Sequence, residues 1–573
     1  MQRREFLRLA ALGFMVTPLA ACMPGGHDHG NGSAAGHQHG VSGTAANTPD
    51  WAAALPQHQP LQALPRIANQ ASAPQFRATL NMQPTRVPLT ADVSTELWLY
   101  NGKVAPLIEI TEGDQVEVVA NNHLAQPTTI HWHGVKVPVS EDGGPHDLIP
   151  SHGSRTYRFT VPEGNSGLHW FHPHPHNYLA EQIAHSLAGA LLVRPKQDPM
   201  PAAIPSYLLM VTDLRLDADA RVAPHTGVDW MNGREGDILL VNGQRNPRLD
   251  VVPGSTFRLR MVNACAGRYL RLQLEDHGLQ LIGTDGGYLE QPVALNELLL
   301  VPGQRCDLLV RASERKGQTF ALQKLPYDRD WMGPVPAHYT RTETLLTLHT
   351  SNADVQSVIP LPARLTSIPS LGEPAVQRKV VLSEEMPGHA MGGATDDHVA
   401  HGGQTQQPGH DAHADHGSQG GHGMMAGGHG MMSGGHGGHG MMAGGHGDHG
   451  MMGGGMLAER PPIRFMINGE TFKPGRILFE GRVGQVEEWE VFNESHMDHP
   501  FHVHGTQFQV VAVQDAGGNW QPPAWRSWQD TINLKPNQRQ KIRLVFEQPG
   551  EWMFHCHIIE HEELGMMASI LVK

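Results

Sequence analysis

Cysteine is scarce in this chain, with four in 573 residues, too few for a disulfide-stapled framework. Basic charge is also short: 42 lysines and arginines face 56 aspartates and glutamates, a net charge of −14 with histidine neutral. No nucleic-acid partner is expected from that balance. Long helical patterns are scarce, and the apolar run in residues 1–22 is too short and too interrupted for a permanent membrane span. What is there instead is strand-like. QVEVVANN (115–122), TFRLRMVN (256–263) and KIRLVFEQ (541–548), broken by Gly and Pro turns, predict an all-β chain of antiparallel β-sandwiches. The length suits three or four domains.

Chemistry concentrates near the C-terminus, where residues 555–567 read HCHIIEHEELGMM. Cys556, His561 and Met566 gather thiolate, imidazole and thioether donors, a soft set that favours copper. Two imidazoles, a thiolate and an axial thioether make an electron-transfer site, so one further histidine must come from elsewhere. On a strand His555 and His557 point away from Cys556 and are free for a second centre. Histidine pairs recur in HWHG (131–134), HWFHPHPH (169–176) and HPFHVHG (499–505).

A weak internal repeat orders these motifs. Asn101-Gly102, Asn242-Gly243 and Asn468-Gly469 open three blocks. In these, Gly113, Gly254 and Gly484 lead to Asn122, Asn263 and Asn493, and then to His131, Leu272 and His502. Repeats on this scale read as repeated domains. The middle one carries leucine at the metal positions. Each block closes on a second segment, His172-Pro173-His174, Leu322-Gln323-Lys324 or His555-Cys556-His557, so only the third has a central thiol. Eight histidines from the first and third domains are expected to meet at their interface.

These motifs resemble the multicopper oxidase family over nearly all of residues 75–573. The resemblance implies three cupredoxin-like, Greek-key domains at 75–197, 198–355 and 356–573, and four copper ions. Type 1 copper would take His499, Cys556, His561 and Met566. Type 2 would take His131 and His502, and the type 3 pair His133, His172, His557 with His174, His504, His555. Electrons would enter at type 1 and reduce dioxygen to water. Asp142 and Glu562 resemble the family's acidic residues that relay protons beside the cluster. A non-catalytic cupredoxin reading fails because every ligand position is filled.

Residues 386–456 hold 11 methionines and 12 histidines in a Gly-rich matrix, with HGMM at His422, His429, His439 and His449. This composition predicts a disordered insertion in the third domain. It resembles the methionine-rich insert of bacterial copper-efflux oxidases, which implies Cu(I) as substrate; a laccase-like oxidase of phenols is the alternative. Met497 matches a methionine that holds the substrate ion there. Ser495 stands where an acid is expected, with Glu494 or Asp498 as stand-ins. HDHGNGSAAGHQHG (27–40) looks like a smaller copper-collecting tract.

Residues 1–22 carry Arg3-Arg4 before Phe6-Leu7, a twin-arginine export signal, and end in Leu19-Ala20-Ala21-Cys22, which resembles a lipoprotein processing site. The expectation is a periplasmic or envelope monomer, lipid-anchored at Cys22 through a flexible tether at 23–74. Cys265 and Cys306 form either a disulfide or two buried thiols.

Overall fold

An Asn-Gly turn opens each repeat with the same geometry. Asn101, Asn242 and Asn468 have φ of 53°, 53° and 52°, and the following glycines 63°, 77° and 77°. Two central residues at positive φ match the twist of paired strands, and Asn-Gly tolerates this best. The three asparagine side chains donate to Thr79, Leu208 and Lys379 carbonyls and accept from Asn81, Met210 and Val381 amides. Further on, Asn122, Asn263 and Asn493 donate to the Ile149, Leu300 and Leu534 carbonyls. The repeat is therefore one structural plan used three times.

The computed structural model describes residues 50–386 and 460–573. The export signal, Cys22, the His27–Gly40 tract and the insertion beyond Met386 lie outside the described residues. Each repeat builds two sheets, of four and three strands in the first, six and five in the second, and six and five in the third. They form three cupredoxin-like sandwiches, each with its own apolar cluster. In the middle one Leu272 and Leu274 are core residues, filling positions held by histidine in its neighbours.

Pairing departs from the purely antiparallel expectation. Gln75–Pro88 lies parallel to Gln115–Asn122, Ser206–Leu214 to Thr256–Asn263, and Val376–Glu385 to Val486–Asn493. In each case the intervening chain crosses to the other sheet before returning, which restores the original strand direction.

The tether expectation also needs correction in its second half. Leu55, Leu64 and Ile67 are buried, and the His58, Leu61 and Ile67 amides donate to the Asn246, Arg248 and Leu107 carbonyls. Apolar side chains at these positions clamp the segment onto the first two repeats. Cys265 and Cys306 are separate buried thiols in one apolar cluster.

Asn263→Ala removes two donations, to Leu300 and Arg268, and an acceptor for the Cys265 amide. Unmet buried partners of this kind predict a loss of about 3 kcal/mol. Denaturant titration checks it, with a lower midpoint at unchanged slope expected.

Candidate metal centres

Strand alternation sorts the C-terminal motifs onto two faces. In His499–Val503, His499 and Phe501 share one face while His502 takes the other. This strand pairs with Gly550–Cys556, placing Phe501 opposite Cys556 and His502 opposite His555. Two donor clusters result.

In the first, His499 Nδ1 lies 3.3 Å from Cys556 Sγ and 3.2 Å from His561 Nδ1, with 3.8 Å between Sγ and His561 Nδ1. All three residues are fully buried, as is Met566. The far nitrogens fix the tautomers. His561 Nε2 donates to the Met231 carbonyl at 3.1 Å, and His499 Nε2 to Ser495 Oγ at 2.7 Å, whose own hydrogen goes to Asn493. Both Nδ1 lone pairs then face the sulfur. Burial lowers His499 to about 4, lowers His561, and pushes the Cys556 thiol up. The Ile558 amide donates to Sγ at 3.4 Å. Met566 shares the apolar cluster around Cys556, and its carbonyl accepts the Cys556 amide at 3.0 Å.

The second cluster joins the first and third repeats. His131 and His172 exchange backbone hydrogen bonds of 2.8 and 3.2 Å. Their rings, with those of His133, His174, His502, His504, His555 and His557, are all at most 2% exposed. Ligand nitrogens group as His131, His133, His172; as His131, His502, His504; and as His174, His504, His555. His504 Nε2 is 3.0 Å from His555 Nε2, which is 3.3 Å from His174 Nε2. His557 belongs to none of these close groups; its ring centroid is 5.0 Å from that of His133 and 5.8 Å from that of His172.

Most of the rings are pinned from outside. His131 Nδ1 donates to the Asp142 carbonyl at 3.0 Å, His172 Nδ1 to the Pro173 carbonyl at 2.8 Å, His502 Nδ1 to the Asp530 carbonyl at 2.8 Å, and His555 Nδ1 to the Cys556 carbonyl at 2.9 Å. His131 Nε2, His172 Nε2, His502 Nε2, His133 Nδ1 and both nitrogens of His557 have no hydrogen-bond partner. Burial lowers seven of these histidines, His504 to about 3, so their rings are neutral donors. Buried polar atoms left unpaired are costly. Neutral imidazoles with unpaired inner nitrogens and outer nitrogens held by carbonyls fit bound copper.

Two carboxylates sit against this cluster. Asp142 Oδ2 accepts from His504 Nδ1 at 2.8 Å; burial alone would raise Asp142, but His131 and His504 hold it well below the usual range. Glu562 Oε1 lies 3.3 Å from His174 Nε2 and Oε2 3.1 Å from His555 Nδ1. Burial, then Glu563 and Glu560, push Glu562 well above the usual carboxyl range.

The structure also gathers residues that carry no motif. Asp530 Oδ1 lies 3.3 Å from His133 Nε2 and 3.6 Å from His502 Nδ1, and Arg305 forks onto Asp530 at 2.8 and 2.5 Å. Near the first cluster, Met497, Glu494 and Asp498 do not make a common surface site. Met497 has no exposed surface, Glu494 is exposed, and Asp498 Oδ2 accepts from Tyr327 Oη at 2.6 Å and Asn533 at 2.7 Å. A different pair lies there. Glu384 contacts His496 Nδ1, its side chain is 5% exposed, and its Oε2 has no partner, while His496 is 34% exposed.

A cupredoxin fold bearing one thiolate-imidazole cluster and one polyhistidine cluster defines a copper protein of the oxidase class. Family models described as multicopper oxidase match residues 81–198, 208–352 and 448–573. A solved structure described as a multicopper oxidase from Campylobacter jejuni, a metallo-oxidase, is 34% identical with a TM-score of 0.73, covering 91% of this chain and 96% of that one. The multicopper oxidase mco of Staphylococcus epidermidis is 28% identical over 480 residues, 82% of this chain and 83% of its own. Multicopper oxidase MmcO of Mycobacterium tuberculosis is 25% identical over 534 residues, 86% of each chain. The chain belongs to the multicopper oxidase family and is a copper-dependent oxidoreductase that uses dioxygen.

Proposed function

We propose that this oxidase takes Cu(I) as its electron donor and works in copper tolerance. The observation that carries this reading is the position of Met386, the last described residue before the Met/His-rich segment. Met386 lies just after the strand in which Glu384 pairs with Phe465, and the Phe465 ring stacks on His561 at 3.9 Å. Soft thioethers select Cu(I), so a collecting segment rooted beside the electron-entry cluster suits a cuprous substrate.

In this reading His499, Cys556, His561 and Met566 hold type 1 copper, and His131 with His502 hold type 2. His133, His172 and His557 hold one type 3 ion, and His174, His504 and His555 the other. The four bound coppers supply one-electron oxidation of the donor and four-electron reduction of dioxygen to water. Cys556 is joined through its own backbone to His555 and His557, giving a covalent path between the two clusters. Glu562 holds a proton on the carboxyl group that faces His174 and His555. Asp142 orients His131 and His504. Glu384 and His496 hold the incoming Cu(I), in place of Met497, Glu494 and Asp498. Export by the twin-arginine signal and lipidation at Cys22 would keep the enzyme at the cell envelope.

A laccase-like reading has one observation in its favour. An open pocket of about 310 Å³ is lined by Tyr327, Trp331, Val335 and Tyr339, and Tyr327 bonds Asp498 beside His499.

Oxygen uptake with Cu(I) and with a phenol separates the two. Deleting residues 388–455 is expected to lower Cu(I) oxidation and raise phenol oxidation; unchanged Cu(I) turnover with no gain on phenol defeats the proposal. His496→Ala and Glu384→Gln are expected to lower Cu(I) kcat/KM by about tenfold, in line with loss of one ligand contact, and to spare phenol. The hydrogen bond that His496 donates to Glu384 raises the His496 pKa. A protonated ring cannot ligate, so Cu(I) oxidation should climb as pH rises through that raised value, a step His496→Ala removes.

A further inference from the structure

The middle sandwich supplies no candidate copper ligand, yet one of its segments reaches the polyhistidine cluster. Gly303, at φ 84°, leaves so little room that a Cβ there would lie 2.7 Å from His557 Cδ2. Gln304 Nε2 donates to the Thr531 carbonyl at 2.9 Å. Arg305, 2% exposed, then ties all three repeats together. Its Nε donates to the Leu168 carbonyl at 3.2 Å and its Nη1 to the Gly303 carbonyl at 2.9 Å. Nη1 and Nη2 fork onto the two oxygens of Asp530. Asp285 completes the frame: it accepts the Arg305 amide at 2.8 Å, and the Asp530 and Thr531 amides at 3.3 Å.

Asp530 stands between this guanidinium and the rings of His133 and His502, which stack at 3.9 Å. Both oxygens of a carboxylate gripped by a planar fork have fixed positions, which a point-charge ammonium cannot enforce. The fixed Oδ1 meets His133 Nε2, and the fixed backbone carbonyl meets His502 Nδ1. Those bonds select the tautomers that leave His133 Nδ1 and His502 Nε2 as the unpaired inner donors. Gly134 belongs to the same frame: a Cβ on it would lie 2.3 Å from Arg305 Nη2 and 2.8 Å from Asp530 Oδ2.

We infer that Arg305 is a positioning residue through which the copper-free middle domain sets the His133/His502 edge of the oxygen-reducing site, acting by way of Asp530. The inference rests on the assignment of His131 and His502 to type 2 copper. It also gives the middle domain a role beyond that of a spacer.

The test compares Arg305→Lys, the charge-balanced pair Arg305→Met with Asp530→Asn, and Arg268→Lys, by copper content, electron paramagnetic resonance and thermal unfolding. Arg268 is an equally buried arginine of the same repeat, paired with Asp213 and Glu343. Arg305→Lys and the double variant should bind type 2 copper about tenfold more weakly and change its resonance signal, with the blue type 1 absorption intact. Arg268→Lys should lower the unfolding temperature and leave the signal alone. If both Arg305 variants keep the wild-type type 2 signal and copper content, or if Arg268→Lys alters them to the same degree, the inference falls. If Arg305→Lys does not fold, the double variant decides alone. Absence of a type 2 signal in the wild type would instead overturn the copper assignment, so the two failures are distinguishable.

Discussion

Cys556→Ser should abolish the blue colour and reduce turnover with any donor by about 10³-fold or more, equivalent to about 4 kcal/mol of activation free energy. The serine hydroxyl is a hard, neutral donor in a site where two imidazole lone pairs converge on sulfur at 3.3 and 3.8 Å. It also removes the sulfur that begins the short path through residue 556 to His555 and His557, which flank this one position. Folding should survive, since Cys556 is one member of a large apolar cluster. Absorbance and oxygen uptake on the same preparation check the result. Retention of both colour and turnover would rule out the assignment.

Glu562→Gln has the second largest expected effect, about 10²-fold on oxygen uptake, the scale of a lost proton donor. Glutamine keeps the shape and contacts with His174 and His555 but has no carboxyl proton to release. Reduction by the donor, read as bleaching of the blue colour under anaerobic conditions, should be unaffected. Reoxidation by oxygen should slow. The pH profile gives the sign: burial with Glu563 and Glu560 nearby raises the Glu562 pKa, so the proton is kept to higher pH than on an ordinary glutamate and is lost as pH passes that raised value. Wild-type reoxidation should therefore fall on the alkaline side, and Glu562→Gln should flatten that limb. A variant that reoxidises at the wild-type rate would remove Glu562 from the reaction.

The histidine pairs were legible because strand alternation is local: residues two apart share a face whatever the rest of the chain does. The same logic separates Cys556 from His555 and His557. The Asn-Gly and Gly-Asn spacings were legible too, since a turn at positive φ and a buried asparagine bonding nearby carbonyls use conserved spacing within one repeat. Parallel pairing of each repeat's first strand was not, because it depends on a crossover between sheets. The packed stretch from Leu55 to Ile67 carries few apolar residues with no periodicity, and they are buried only against two other domains.

The substrate-copper triad illustrates a different limit. Met497, Glu494 and Asp498 are close in sequence, yet Asp498 turns to Tyr327 and Asn533 while the part-exposed His496 is paired with Glu384, 112 residues away. Adjacency along an irregular segment does not fix direction. No local pattern could have announced Glu384 in a strand.

By itself the sequence determined the donor types, the face each takes on its strand, the fold class and the number of repeats, all consequences of local geometry and composition. Only the tertiary structure decided which nitrogen of each ring is free. That choice belongs to Asp142, Asp530, Ser495 and the Met231 carbonyl, and, for Asp530, to Arg305, 225 residues away. The physical reason is that a ring's tautomer is set by whatever accepts its outer hydrogen, and the acceptors for His504, His133 and His561, namely Asp142, Asp530 and the Met231 carbonyl, arrive only when the sandwiches dock.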